Sequence, residues 1–315
     1  MPKEPNAIKN ILVVRNDRFG EFLLNIPALR ALKESFVNAK ITVIINPDLE
    51  ELVKYIPYID NTISWESKRH SLPEKFKLIR LLKKSNFDMA IILNPSKELN
   101  FCAYLSGIPT RVGYNRKWGF LLTNKIEDRK NLAEKHEVEY NLDLVALIGA
   151  KTSDKTPSLE MGAEIAKEDL IAIHPWTSDP LKQWPLERFA ELAKKIKNEI
   201  KISPVIVGGK ENLAAAKKYF SNLENITDLT GKTSLKQLAE LLKKARLLIS
   251  GDSGPMHLAA AVGTPVVALF RNDLPGKTAR RWGPVGREHI ILEKNSLLDI
   301  TVEEVFSKVK SFLEK

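Results

Sequence analysis

The stretch that most narrows the fold is residues 247–270, LLISGDSGPMHLAAAVGTPVVALF. Leu247-Leu248-Ile249 is a short apolar run of the kind buried on both faces of a parallel sheet. Gly251-Asp252-Ser253-Gly254-Pro255 reads as a turn, residues 257–262 as a helix of small residues ended by Gly263, and residues 265–270 as a second buried strand. Strand, glycine-rich turn, helix, strand is a unit that presents free backbone N–H groups at a helix N-terminus, where phosphate binds well. A carboxylate beside a phosphate repels it. Asp252 therefore makes better sense holding hydroxyls or an amine, or organising the loop. The competing reading is an ordinary strand-to-helix connection whose glycines relieve backbone strain.

The same alternation runs through the chain. Residues 10–14 (NILVV) form a buried first strand, followed by a polar loop, 15–21, and a helix over 21–35 with Phe22, Ile26, Leu29 and Leu32 on one face. Next come strand 40–45, helix 49–55, strand 62–65, helix 72–85, strand 89–93, helix 97–106 and, later, helix 134–148. The polar, Pro-terminated segment 151–157 reads as an interdomain linker. Beyond it, strands at 170–173, 204–207 and 227–229 alternate with helices at 186–197, 211–220 and 234–244, and an amphipathic helix, 302–312, closes the chain. Such alternation implies parallel, doubly wound sheets. A chain of 315 residues is too long for one ordinary core. The expected fold is α/β, with two doubly wound Rossmann-like domains, residues 1–154 and 155–315, facing a cleft. Gly20 is the only glycine of the first β–α loop, so no dinucleotide site of the G-x-G-x-x-G type is expected there.

Cys102 is the single cysteine. No intrachain disulfide can form, which fits a reducing, cytoplasmic setting and argues against structural zinc. No apolar run approaches the roughly 20 residues that span a bilayer, and MPKEPNAIKN has no h-region, so no signal peptide is expected. The net charge of +10 favours an anionic partner. The lysines and arginines are dispersed among glutamates, and no RNA-module or zinc-finger spacing occurs, which excludes a nucleic-acid module. Anionic lipid, or a phosphorylated and carboxylated glycolipid, fits the charge. So does a solvated Lys/Glu-rich surface. Residues 111–125, RVGYNRKWGFLLTNK, break the alternation: Trp118, Phe120, Leu121 and Leu122 are bracketed by Arg116, Lys117 and Lys125. This is either a loop that touches a membrane surface or a pair of short strands packed on the sheet.

Three stretches together, RNDRFGEFLLNIPALRAL (15–32), IAIHPWTSDPLKQWP (171–185) and residues 247–270, resemble the heptosyltransferases of lipopolysaccharide core synthesis, glycosyltransferase family 9. The likeness runs along nearly the whole chain. It implies the GT-B architecture, ADP-heptose as donor, and a lipopolysaccharide-core glycolipid as acceptor, either Kdo-lipid A or the first heptose. It also implies a single inverting displacement without metal or cofactor, at the cytoplasmic side of the inner membrane with peripheral contact to its anionic surface. The residues alone support only a nucleotide-sugar transferase. A GT-B transferase for another nucleotide sugar or acceptor, and a non-catalytic nucleotide-sugar-binding protein, are the alternatives.

Glycosyl transfer requires that the acceptor hydroxyl lose a proton, that the departing diphosphate be stabilised, and that the donor be oriented. Lys182, in the loop before Gln183-Trp184-Pro185, can reach phosphate oxygens as a point charge. Thr177 and Ser178 add hydroxyls, the backbone at Ser253, Gly254, Pro255 and Met256 opens the helix, and His257 follows. Val205-Ile206-Val207-Gly208-Gly209-Lys210-Glu211 ends a strand with two glycines and an acid. The resemblance assigns that acid, Glu211, to the ribose hydroxyls, whereas a plain reading makes it a helix N-terminal acid. The resemblance also points to the residue after Gly20 as the base. The family's usual residue there is aspartate and this chain has Glu21, with Asp17 the alternative. Arg15 and Arg18 would then hold the acceptor's carboxylate or phosphates, or make salt bridges within the loop. No D-x-D or H-E-x-x-H motif marks a metal site. Gly251-Asp252-Ser253-Gly254 lacks the G-x-S-x-G spacing of a serine hydrolase.

Overall fold

A computed structural model describes residues 7–162 and 165–314. The chain divides into two compact units: unit 1 comprises residues 1–131 and 137–156, and unit 2 residues 132–136 and 157–315.

Unit 1 runs β1 (Asn10–Val14), α1 (Phe19–Leu23), α2 (Ile26–Ser35), β2 (Lys40–Ile45), β3 (Asn61–Ser64), α3 (Leu72–Lys84), β4 (Met89–Ile92), α4 (Lys97–Leu105), β5 (Thr110–Tyr114), β6 (Asn124–Ile126) and α5 (Glu137–Ala146). Its six strands are all parallel, in the order β3-β2-β1-β4-β5-β6. The strand order reverses between β1 and β4, where Val14 stands opposite Ile92. Leu12, Val14, Ile44, Ala90 and Ile92 pack against Leu78, Leu82, Leu99 and Cys102 on one face of the sheet.

Unit 2 runs β7 (Glu168–His174), α6 (Leu186–Lys195), β8 (Pro204–Ile206), α7 (Leu213–Phe220), β9 (Thr227–Asp228), α8 (Leu235–Lys244), β10 (Ala245–Gly251), α9 (Gly254–Ala261), β11 (Val266–Arg271), α10 (Ala279–Trp282), β12 (Ile290–Lys294) and α11 (Val302–Leu313). The parallel order β12-β11-β10-β7-β8-β9 repeats the topology of unit 1, with the reversal between β7 and β10. In open α/β sheets the crevice beyond the strands' C-terminal ends at such a reversal is where ligands bind. Each unit has one.

Four expected elements differ. The helix over 21–35 is two helices, α1 and α2. Pro27, at the second position of α2, cannot donate a hydrogen bond and clashes with the carbonyl four residues back. At the break Asn25 Nδ2 donates to Glu21 O at 2.7 Å and to Phe22 O at 3.3 Å, while its backbone N–H also donates to Phe22 O. The helix over 49–55 is replaced by two single 3₁₀ turns, Pro47–Leu49 and Val53–Tyr55. Pro57 biases Ile56 to extended backbone and stops any longer helix. The helix expected over 134–148 is shorter, Glu137–Ala146. The small-residue helix starts three residues early, at Gly254, because Pro255 at its second position is pre-set for a first helical turn. β12 and α10 were not foreseen.

Residues 111–125 fold as the short strands β5 and β6 around a 3₁₀ turn at Gly119–Leu121. Leu122 joins the core, but Trp118 and Phe120 are 44% and 72% exposed.

Candidate functional site

In unit 2, the loop after β7 and the loop after β10 come together. Two tryptophans fix the first loop. Trp184 is fully buried, donates to Ile300 O at 3.0 Å and meets Phe189 edge-on. Trp176 donates to Val207 O at 3.1 Å, and its ring lies so close to Gly208 that a Cβ there would overlap it. Gln183 closes the loop on itself, donating to Pro175 O at 2.6 Å and accepting from Thr177 N at 3.3 Å. The loop from β10 approaches through Gly251, where an added Cβ would sit 3.3 Å from Thr177 Cγ2.

Across this junction Lys182 Nζ is bonded to Asp252 Oδ2. Lys182 gives Asp252 a cationic partner, and the contact also joins the two loops. Burial pushes its carboxyl above the ordinary range, with the attraction of Lys182 acting in the opposite direction. Nearby, Lys277 Nζ stands 2.6 Å from Asp179 Oδ2, and Thr177 Oγ1 donates to Asp179 O at 2.9 Å. Ser178 is exposed on the same loop.

The helix α9 starts beside Asp252. Pro255 and Met256 are buried, so this turn offers a ligand its backbone rather than those side chains. Pro255 has no N–H, which leaves those of Ser253, Gly254 and Met256 as the donors without an intrahelical acceptor. His257 Nδ1 is buried with no hydrogen-bond partner. Burial first, then the neighbouring His136 and Lys182, hold that imidazole down to about 3. It is neutral at physiological pH.

At the end of β8, the Glu211 carboxylate folds back over Gly209, where a Cβ would overlap it. Glu211 lies in a 3₁₀ turn, Lys210–Asn212, ahead of α7. Thr177, Lys182, Asp252, Ser253 and Gly254 are thus gathered at one junction, with Glu211 beyond the neighbouring strand of the same sheet edge.

In unit 1 the corresponding edge carries charge. Arg15 follows β1 and is buried, its Nε 2.7 Å from Asp17 Oδ1 and its NH2 3.1 Å from Glu21 Oε2. Glu137, fully buried at the start of α5, is 2.5 Å from Lys130 Nζ and adds its field to the same group. Three carboxylates thus face two cations. Burial works against the charge on Arg15, but Asp17, Glu137 and Glu21 outweigh it and raise its pKa. Glu21 absorbs the imbalance: burial first, then Asp17, push its carboxyl to about 7 despite Arg15. Arg15 therefore braces the two carboxylates. Arg18 is exposed at the N-cap of α1, and Gly20 is buried inside that helix.

A cavity of about 350 Å³ lies beyond β1, β3 and β4, lined by Asn16, Trp65, Lys68, Asn94, Lys97 and Lys117 among others. Asn16, on the wall of the cavity, stands between Arg15 and Asp17 in the chain. On its wall Glu98 accepts from Trp65 Nε1 at 3.0 Å and lies 2.8 Å from His70 Nδ1 and 3.2 Å from Lys75 Nζ. Burial alone would raise Glu98, but these hydrogen bonds hold it below the ordinary carboxylate range. Its charge is spent on them, while Lys97 and Lys117 are exposed at the rim. Sequence reasoning missed this cavity, because its lining comes from four separate segments of the chain and no single stretch announces that they meet.

Comparison with known proteins gives a consistent result. The family model described as glycosyltransferase family 9 (heptosyltransferase) matches residues 75–304. A candidate glycosyltransferase of Haemophilus influenzae is 28% identical over 302 residues, covering 88% of this chain and 86% of that protein. Lipopolysaccharide heptosyltransferase 3 of Escherichia coli is 25% identical over 274 residues, covering 80% of this chain and 79% of the relative. The solved structure of the E. coli ADP-heptose lipopolysaccharide heptosyltransferase II superposes with a TM-score of 0.82 at 23% identity, covering 97% and 98% of the two chains. Its likeness establishes the GT-B class of fold for the two Rossmann-like units. The chain is a glycosyltransferase and belongs to glycosyltransferase family 9, the heptosyltransferase family.

Proposed function

We propose that the protein transfers heptose from ADP-heptose to the inner core of lipopolysaccharide by a single inverting displacement. The observation that carries the donor assignment is the junction of Lys182 and Asp252 with the open start of α9. The lysine and the N–H groups of Ser253, Gly254 and Met256 suit a diphosphate, Thr177 and Ser178 add hydroxyls, and Glu211 takes the ribose. The names of relatives, which include lipopolysaccharide heptosyltransferases and an ADP-heptose enzyme, support the identity of the sugar.

Unit 1 supplies the base and the acceptor contacts. Glu21, with a pKa of about 7, takes the proton of the acceptor hydroxyl as its oxygen bonds to the anomeric carbon. The bond from that carbon to the diphosphate breaks, and ADP leaves with its new charge on Lys182 and the α9 N–H groups. Attack opposite the leaving group inverts the configuration. The acceptor's carboxylate or phosphate occupies the cavity near Lys97 and Lys117, with Arg18 two residues along the chain from Asn16 on its wall. Incubation with ADP-heptose and each truncated core acceptor, followed by mass analysis, tests the reading. Absence of a heptose-mass product with every acceptor overturns it.

The glycolipid acceptor places the enzyme at the cytoplasmic face of the inner membrane. Trp118 packs edge-on against Phe101 with Phe120 beside it, and both exposed rings sit among Lys117 and Lys125, an interfacial composition. Arg116 is tied to Asp128 at 2.6 Å. Among the described residues no helix is long and apolar enough to cross a membrane. Replacing Trp118, Phe120 and Leu121 together by Ser, with Leu122 left intact, reduces sedimentation with phosphatidylglycerol vesicles and leaves the melting temperature nearly unchanged. A large fall in melting temperature would show that these side chains are core.

A further inference from the structure

The Ser253 side chain stands at the N-cap of α9 and does not cap it. A serine there ordinarily turns its oxygen to the N–H two or three residues on. Pro255 has no such group, and Met256 N–H does not donate to Ser253 Oγ. Ser253 Oγ lies instead 2.8 Å from Ser250 Oγ, near the end of β10. Ser250 is wholly buried and donates to Gly251 O at 3.0 Å. Either hydroxyl can donate in this pair, and in both arrangements the contact holds Ser253 Oγ toward the strand. His174, its register partner on β7, closes the other side, with Nδ1 at 3.4 Å.

We propose that Ser250 is a positioning residue for donor binding. It holds the Ser253 hydroxyl away from the start of α9, so the N–H groups of Ser253, Gly254 and Met256 stay open to the diphosphate. The inference rests on the reading of this junction as the diphosphate site. A second polar group of the same helix start is also left without a protein partner among the described residues: His257 Nδ1, in the first turn, is buried and unpartnered. The physical basis is competition. A self-capped helix must give up its cap before an anion can take the same N–H, whereas a cap diverted to the strand behind leaves the anion unopposed. The helix start is less stable without ligand and better prepared for one.

The test is calorimetric titration with ADP, together with steady-state kinetics for the nucleotide sugar. Ser250→Ala frees Ser253 to cap, and should weaken ADP binding and raise the donor KM about three- to tenfold, the size of an N-cap hydrogen bond, with kcat little changed. Ser250→Ala/Ser253→Gly removes the freed competitor but keeps the backbone N–H, and should recover most of the lost affinity. Should Ser250→Ala fold poorly, Ser250→Cys, a near-isosteric weak acceptor, takes its place. Unchanged ADP affinity in the single variant, or a double variant as weak as the single, overturns the proposal. Lys182→Ala separates the two readings. If it weakens ADP while Ser250→Ala does not, only the positioning role fails; if neither variant matters, the diphosphate site itself was misplaced.

Discussion

Glu21→Gln should lower kcat by about 10²–10⁴-fold, the usual contribution of a general base, while ADP affinity is unchanged. The substitution keeps the size and loses the proton acceptor, and the proposed donor contacts lie in unit 2. Glu21→Asp shortens the arm but keeps a carboxylate, the aspartate that the family resemblance expects at this place, so it should retain far more activity than Glu21→Gln. The pH profile carries a second signature. A base with a pKa of about 7 gives a rate that falls as pH drops below that value. The same raised carboxyl binds its proton more tightly in the folded than in the unfolded chain. Its contribution to stability is therefore complete below the ordinary carboxylate range and is lost as pH rises through about 7. The protein gives up some stability where it gains activity, and Glu21→Gln should flatten both dependences. Should Glu21→Gln keep near-normal kcat while Asp17→Asn abolishes it, Asp17 is the base and Arg15 orients it through the 2.7 Å contact.

The doubly wound architecture was legible because its signal is local. Runs such as NILVV and LLIS are too apolar for anything but strands buried on both faces, and nearly every one of them became a strand. The misreadings occurred where one residue overrode periodicity. The 3.6-residue pattern of Phe22, Ile26, Leu29 and Leu32 continues through Pro27, so periodicity proposed one helix while the missing N–H enforced two. Asn25 two residues before Pro27 was the available clue. β12 was missed because an edge strand is only half buried. Its sequence, IILEK, mixes apolar and charged residues and pairs on one side only, with β11.

The site was legible in its types and not in its pairings. Glycine, a carboxylate and lysine could be placed at two strand ends from sequence, but not that Lys182 and Asp252 would bond each other across 70 positions. Arg15 shows the same limit. An arginine after a first strand can hold a ligand or brace its own loop, and the structure buries Arg15 between Asp17 and Glu21, with Glu137 from α5 adding to the negative field. No local pattern announces a charge that arrives from more than 100 residues away.

Lys182→Ala should weaken ADP binding by about 1.5–3 kcal/mol, or roughly ten- to hundred-fold, measured by calorimetric titration. Two effects add. The ammonium no longer meets the diphosphate, and Asp252, almost fully buried, loses the cation that offsets its charge. An unpaired carboxylate then stands beside the phosphates. The pairing makes a sharper statement than the single variant. Lys182→Ala/Asp252→Asn removes the stranded charge with its partner, so it should bind ADP more tightly than Lys182→Ala and melt at a higher temperature. Asp252→Asn alone releases Lys182 to the phosphates and should leave ADP affinity equal or higher, even where it slows transfer by disturbing the sugar. Unchanged affinity in Lys182→Ala would remove this lysine from the donor site, and its bond to Asp252 would then serve only to join the two loops.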